Sequence, residues 1–142
     1  MNFDPVPKRT SIYRHRVRYF EADQQGVVFN MWYLGYFDEA MALFLEEGGL
    51  PYRRMLEAGF DVQLVRTEID WRSSLRWPDD ATVEVGVEGA GRTSFTLGFT
   101  VRRAGEGDVV ADGRTVYVVV GTDGSGKRPI PAELAGALGV AA

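Results

Sequence analysis

The residues of this chain best placed to do chemistry lie in one stretch, RYFEADQQGVVFNMWYLGYF, residues 18 to 37. Asp23 stands seven residues before Asn30, and Asn30 directly precedes a strongly aromatic helical run. A helix N-terminus carries N–H groups without intrahelical partners and about half a unit of positive charge, so it holds an anion or polarises a carbonyl oxygen. That is half of an acyl-transfer site. The other half is a base or nucleophile within reach of the same carbonyl carbon, and Asp23 supplies it if Gly26 lets the loop fold back. A carboxylate there either attacks directly to give an anhydride or takes a proton from water. Spacing alone favours a plainer role for Asp23, as a turn cap or a complement to the helix dipole. Glu21, two residues away on an extended segment, points the same way and reads as a solvated strand end.

Other chemistries are poorly supplied. His15 is the single histidine, set mid-strand among arginines, so a Ser-His-Asp triad or a multi-histidine metal site lacks partners. A structural or surface role fits it better than that of a tuned base. The run GTDGSGKR, Gly121 to Arg128, is one residue short of a P-loop. Arg128 replaces the magnesium-binding hydroxyl, and Pro129 and Pro131 block the helix that should hold the phosphates, so a glycine-rich turn is the better reading. Lys127 and Arg128 remain available to a phosphate as simple cations.

These residues need elements to hold them. Across residues 12 to 20, Tyr13, His15, Val17 and Tyr19 share one face and Arg14, Arg16 and Arg18 the other, which predicts a first strand. Asn30 reads as the N-cap of a helix in which Phe37, Ala40, Met41, Phe44 and Leu45 recur at helical spacing until Gly48 and Gly49. Only Asp38 and Glu39 interrupt the apolar run from 31 to 45, which predicts a helix covered on most sides. Pro51 opens a short second helix ending near Gly59. The period then becomes two, predicting strands over 62 to 75, 82 to 88, 94 to 103 and 109 to 120, parted by WPDD, GAGR and AGEGD, with a short helix from Ala132. This order is an α+β layout, an antiparallel sheet wrapped around a long central helix.

Length and composition set the outer bounds. The 142 residues fit one domain, residues 1 to 142, with 45% hydrophobic and 25% charged residues. A net charge of −4 argues against general nucleic-acid binding. The absence of cysteine excludes disulfides, thiolate-bound zinc and a cysteine nucleophile. MNFDPVPKRT has no apolar signal-peptide core and no later run suits a membrane span, so the expected location is the cytoplasm.

The stretch VRYFEADQQGVVFNMWYLGYFDEA resembles the signature of the 4-hydroxybenzoyl-CoA thioesterase family, including its Tol-Pal-associated acyl-CoA thioesterase branch, all with the hotdog fold. The order of elements agrees over residues 12 to 133, and TEIDWRSSLRWPDDATVEV, GRTSF and KRPIP fall where the family has its next strand pair and its ligand-binding loops. The resemblance implies that Asp23 is the catalytic carboxylate and that the Asn30 N–H polarises the thioester carbonyl. It also implies that Tyr33 lies near the acyl pocket, where packing is an equally good role, and that Arg92, Ser94 and Arg128 meet the nucleotide end of CoA. With Gly26 and Lys127 these complete the candidate binding set. Asp38 matches a recurrent helix acid and is read as structural.

Position 30 is often histidine in the Tol-Pal-associated branch; Asn30 offers no imidazole, though its N–H is unaffected. Gln24 and Gln25 replace smaller residues, which bears on acyl specificity or on water orientation. The activity implied is hydrolysis of an acyl-CoA or acyl-carrier thioester with no metal and no cofactor beyond the CoA of the substrate, in a homodimer or homotetramer whose sites form at the interface. The alternative is a non-catalytic acyl-thioester or carrier-protein binding module. A hydratase of the same fold would need an Asp and His pair, and no histidine follows Asp23.

Overall fold

The computed structural model describes residues 8–104 and 107–140 of the chain. The first seven residues, on which part of the N-terminal reading rests, and residues 105 and 106 of the AGEGD turn lie outside the described residues. The elements run β1 (Thr10–Arg16), a 3-10 turn (Tyr19–Glu21), α1 (Trp32–Glu47), α2 (Tyr52–Glu57), β2 (Phe60–Trp71), β3 (Asp80–Ala90), β4 (Ser94–Arg103), β5 (Val109–Gly121) and α3 (Ala132–Leu138). The strands form one antiparallel sheet in the order β1-β3-β4-β5-β2. The predicted α+β class and the sheet packed on a long central helix are what the chain adopts. No helix among the described residues is long and apolar enough to cross a membrane.

Alternation builds the core. In β4, Phe95, Leu97, Phe99 and Val101 are buried, as are Ala81, Val83 and Val85 of β3. They meet a stripe on α1 made by Tyr33, Tyr36, Phe37, Ala40, Phe44 and Leu45. Phe37 stacks on Phe99 with ring centroids 4.3 Å apart. Each Val, Leu or Phe of this set taken from water stabilises the fold by about 1.5–3 kcal/mol.

Five expectations are corrected. The sheet covers α1 on one side only, since Trp32, Gly35, Asp38, Glu39 and Ala42 are exposed; among the described residues it is an open sheet with β1 and β2 at its edges. The first strand stops at Arg16 rather than running to residue 20, because the Val17 N–H leaves the ladder for the Asp79 carbonyl (2.8 Å) and the chain turns. Strand β2 spans Phe60–Trp71, not 62 to 75, which leaves Leu75 free to accept the Val28 N–H (2.8 Å). Asn30 is not the N-cap: Met31 takes that position without a side-chain cap, and the first turn is closed by Trp32 N–H to Phe29 and Tyr33 N–H to Asn30. Pro51 likewise sits at the cap of α2 rather than inside it.

Candidate active site

Asp23 is carried on a tight hairpin. Its N–H donates to the Val27 carbonyl (2.8 Å), the Gly26 N–H donates back to the Asp23 carbonyl (2.9 Å), and the Phe29 N–H donates to the Glu21 carbonyl (2.9 Å). Ala22 and Val28 form an isolated bridge between these rungs. Gly26 makes the reversal with φ +79°, a left-handed conformation that costs an L-residue with a side chain about 1–2 kcal/mol. The loop therefore folds back at Gly26, and the two arms place Asp23 and Asn30 about three rungs, or roughly 10 Å, apart along the hairpin. One Asp23 carboxylate oxygen accepts the Gln25 N–H (2.8 Å); Gln24 and Gln25 are exposed.

At the other arm the N–H groups of Asn30 and Met31 have no acceptor among the described residues, and both residues are exposed. They are the unsatisfied donors expected at a helix start. Met31 was not singled out from sequence, although a helix start leaves more than one such donor.

Two grooves flank this hairpin. Asp23 lines a cleft of about 390 Å³ with Tyr19, Phe20, Ala22, Gly26 and Trp77. Its walls are aromatic: Tyr19 meets Trp77 edge-on at 5.4 Å, and Phe20 meets Trp32 in the same way at 5.4 Å. Asn30 lines a second groove of about 330 Å³ with Met31, Leu34, Thr67, Ile69 and Trp71. Within one chain, then, the carboxylate and the helix donors sit on one hairpin but open into adjoining grooves. A larger depression of about 560 Å³ lies elsewhere, among charged residues of the sheet that largely pair off, Arg72 with Asp112 (2.9 Å) and Arg114 with Glu88 (3.4 Å).

Tyr33 is buried and lines neither groove; its hydroxyl oxygen accepts the Leu75 N–H (3.3 Å), and burial raises its pKa. Arg92, Ser94, Lys127 and Arg128 gather at the far end of the sheet, where the Ile130 N–H donates to the Arg92 carbonyl (2.9 Å). Arg128 folds over the 121 to 126 turn, donating to the Gly59 carbonyl (3.1 Å), Asp123 (3.2 Å) and Ser125 (3.3 Å), while Lys127 and Arg92 are exposed. The hydrogen bonds of Ser125, and then the charge of Arg128, hold the Asp123 carboxyl below its usual range. The Asp23 hairpin is tied to the other end of the sheet, through Leu75 and the Arg72 N–H bonded to Val110. From Val110 to Val119, beside Arg128, the strand runs nine residues, roughly 30 Å.

Glu21 overturns its sequence reading. It is not a solvated strand end but 4% exposed, with Oε1 accepting from the Arg18 N–H (2.6 Å) and facing His15 Nε2 (2.9 Å). His15 in turn meets the Tyr13 hydroxyl through Nδ1 (3.0 Å) and packs on the Tyr36 ring at 4.4 Å. The available signal was that His15 falls on the inward face of β1, six residues before an acid that must find a partner if it is buried. The Tyr36 hydroxyl is buried without a well-formed hydrogen bond among the described residues; burial first, and then the neighbouring Glu21 charge, raise its pKa. Asp38 is exposed as a residue, yet its carboxyl turns toward the buried Tyr117 hydroxyl, and desolvation pushes its pKa up against the pull of that hydroxyl.

Comparison with known proteins follows the same lines. A protein of Aquifex aeolicus (strain VF5) bearing the name "Putative esterase" is 34% identical over 109 residues, covering 77% of this chain and 84% of that protein. The crystal structure of a hypothetical protein from Aquifex aeolicus superposes with a TM-score of 0.85 at 32% identity, covering 90% of this chain and 98% of the other. A 1,4-dihydroxy-2-naphthoyl-CoA thioesterase from Synechocystis shares the fold, with a TM-score of 0.83 at 22% identity over 92% of this chain and 96% of that one. The family model described as the thioesterase-like superfamily matches residues 17–138, from the end of β1 through α3, and the chain belongs to that superfamily.

Proposed function

We propose that the protein hydrolyses an acyl-CoA or similar acyl thioester to a carboxylic acid and a free thiol. One observation carries this reading: a single closed hairpin presents a carboxylate, Asp23, on one arm and, on the other, the N–H groups of Asn30 and Met31, which have no acceptor among the described residues. The thioester carbonyl oxygen would accept from these amides, each such donor contributing on the order of 3–4 kcal/mol to the transition state. Asp23 would take a proton from the attacking water, or attack the carbon itself to give an anhydride that water then opens. In either route the C–S bond breaks and the thiolate leaves with a proton. The apolar groove of Met31, Leu34, Ile69 and Trp71 suits the acyl group.

The basic residues at the far end of the sheet serve this site best from a second copy. Strand β2 is a free edge with Leu64 and Val65 exposed, at 47% and 55%, around an irregularity between Leu64 and Arg66. Pairing two β2 edges antiparallel about a two-fold axis sets the Phe60 end of one strand beside the Trp71 end of the other. That brings the partner copy's basic cluster toward the Asp23 hairpin and buries two unpaired edges together. The separation of roughly 30 Å within one chain is thereby closed by symmetry.

The test is release of free thiol from a panel of short, long, branched and aromatic acyl-CoAs by the wild type, Asp23→Asn and Asp23→Ala. Hydrolysis of at least one member, lost in both variants while their thermal melting is retained, is the expected result. Retention of every thioester intact would leave a binding module instead, a reading favoured by the opening of Asp23 and Asn30 into separate grooves. Wild-type rates in the Asp23 variants would remove that residue from the chemistry.

A further inference from the structure

The sequence of contacts around Glu21 goes beyond packing. Its carboxylate Oε1 takes the Arg18 N–H at 2.6 Å and His15 Nε2 at 2.9 Å, while its main-chain carbonyl takes the Phe29 N–H at 2.9 Å. One residue thus ties together β1, the 3-10 turn and the returning arm of the hairpin, two positions before Asp23. The imidazole is itself held on both sides, by the Tyr13 hydroxyl at 3.0 Å and by the Tyr36 ring of α1 at 4.4 Å. The acceptor at Nε2 selects the tautomer with its proton there, which leaves Nδ1 to accept from Tyr13. Both ring nitrogens and one face of the ring are thereby engaged.

Stability alone would not call for this arrangement. A buried carboxylate hydrogen-bonded to an imidazole gains little over apolar side chains of similar volume, because desolvating the two polar groups offsets most of what their hydrogen bond returns. What the pair supplies, and an apolar pair would not, is direction. An apolar contact tolerates sliding, whereas a carboxylate held by two donors at fixed angles does not.

We propose that His15 and Glu21 are positioning residues that lock the entry of the Asp23 hairpin against β1 and α1, so that the Asp23 carboxylate keeps a fixed place relative to the Asn30 and Met31 amides. Neither residue touches substrate; both act through the loop. The proposal rests on the thioesterase reading for its kinetic effect but not for its structural one.

Four measurements test it. In Glu21→Gln, kcat on the best acyl-CoA falls about ten- to a hundredfold, the loss expected for a displacement of the order of an ångström in a catalytic group. KM stays within about twofold, since ground-state binding is untouched. On an Asp23→Asn background Glu21→Gln costs nothing further, because the loop no longer carries a working carboxylate. His15→Gln, whose amide N–H can replace Nε2–H, keeps more of kcat than His15→Ala; this comparison serves if the Glu21 variant does not fold. Independently of activity, hydrogen exchange at the Asp23 and Gly26 amides quickens in Glu21→Gln and His15→Ala while the amides shared by β3 and β4 keep their wild-type rates.

Unchanged kcat in Glu21→Gln and His15→Ala, additive losses with Asp23→Asn, or exchange that quickens evenly across the sheet would each overturn the proposal, the last by showing a merely structural role. If the wild type hydrolyses no acyl-CoA, the thioesterase reading fails, and the exchange pattern alone decides this one.

Discussion

Substituting Gly26 with alanine isolates the loop from everything around it. A Cβ built at Gly26 meets nothing nearer than the Arg76 guanidinium at 3.6 Å, so there is no clash to relieve. What remains is the backbone, at φ +79°, where an L-residue pays about 1–2 kcal/mol in the folded state. Alanine also stiffens the unfolded chain, which returns about 0.4–1 kcal/mol, for a net loss near 1 kcal/mol or less and a fall in Tm of roughly 2–4 °C. The global change is small because the loop can open without unfolding the sheet. Locally the full strain acts on the closed hairpin, and if activity needs that closure, 1–2 kcal/mol converts to a loss of about 5- to 30-fold in kcat/KM. Thermal melting together with thiol release on the best acyl-CoA measures both numbers, and Gly26→Asn, a side chain that tolerates the left-handed region, should recover part of the loss. Should Gly26→Ala keep the wild-type kcat/KM while its Tm falls as expected, catalysis would not depend on the closed hairpin and the proposed geometry would be wrong.

Four further outcomes follow from the same structure. Gly113→Ala drives a Cβ into the Glu68 main-chain carbonyl and to 3.0 Å from the Phe37 ring, so it destabilises by about 1–3 kcal/mol or more in denaturant melts. The atoms nearest a Cβ at Gly98 all belong to the swingable Glu88 side chain, whose exposed pair with Arg114 is worth about 0–1 kcal/mol, so the melt of Gly98→Ala should sit close to wild type. Asp38 has a raised pKa in the folded state, so its charged form is a penalty that is lifted as pH falls through that value. Asp38→Asn should therefore melt above wild type at pH near 7, with the gap closing as pH drops toward the ordinary carboxylate value of about 4. Arg92, exposed and outside the chemistry, should raise KM for acyl-CoA about three- to tenfold when changed to alanine, with kcat nearly constant and the effect shrinking in high salt.

Much of the scaffold was legible because its signals are local. The strict alternation of Phe95, Leu97, Phe99 and Val101 and the helical recurrence of Phe37, Ala40 and Phe44 are set by which side faces the core, and they read directly from spacing. The turn at Gly26 was legible for the same reason. Glu21 was not, since burial of a charge depends on a partner brought by tertiary structure, and His15 reaches it only because the chain bends after Arg16. The coverage of α1 was overread for a related reason: Leu34, Met41 and Leu43 are apolar yet only half-buried, so their composition announced a neighbour that one sheet does not supply. The cap at Asn30 failed by one residue because a 3-10 first turn shifts the donor pattern without any change of residue type.

The exposed apolar groups are unevenly distributed, and their distribution bears on the proposed site. Tyr19, Phe20 and Trp77 are 76%, 67% and 50% exposed around the Asp23 cleft, and Met31 and Trp71 are 60% and 45% exposed along the next groove. Apolar surface of this kind, gathered at one end of the sheet, marks a place where something else is meant to sit. Two coverings suit it, an acyl group and a second copy across the β2 edge, and they do not compete. An acyl group would, on the proposed reading, need a dry cavity with a carboxylate and amide donors at its mouth, and a second copy would close the open sides of the grooves and exclude water from the same donors. On the proposed reading the exposure of these rings in a single chain and the distance between its acidic and basic ends have one cause, which is that each chain carries the complementary halves of two sites.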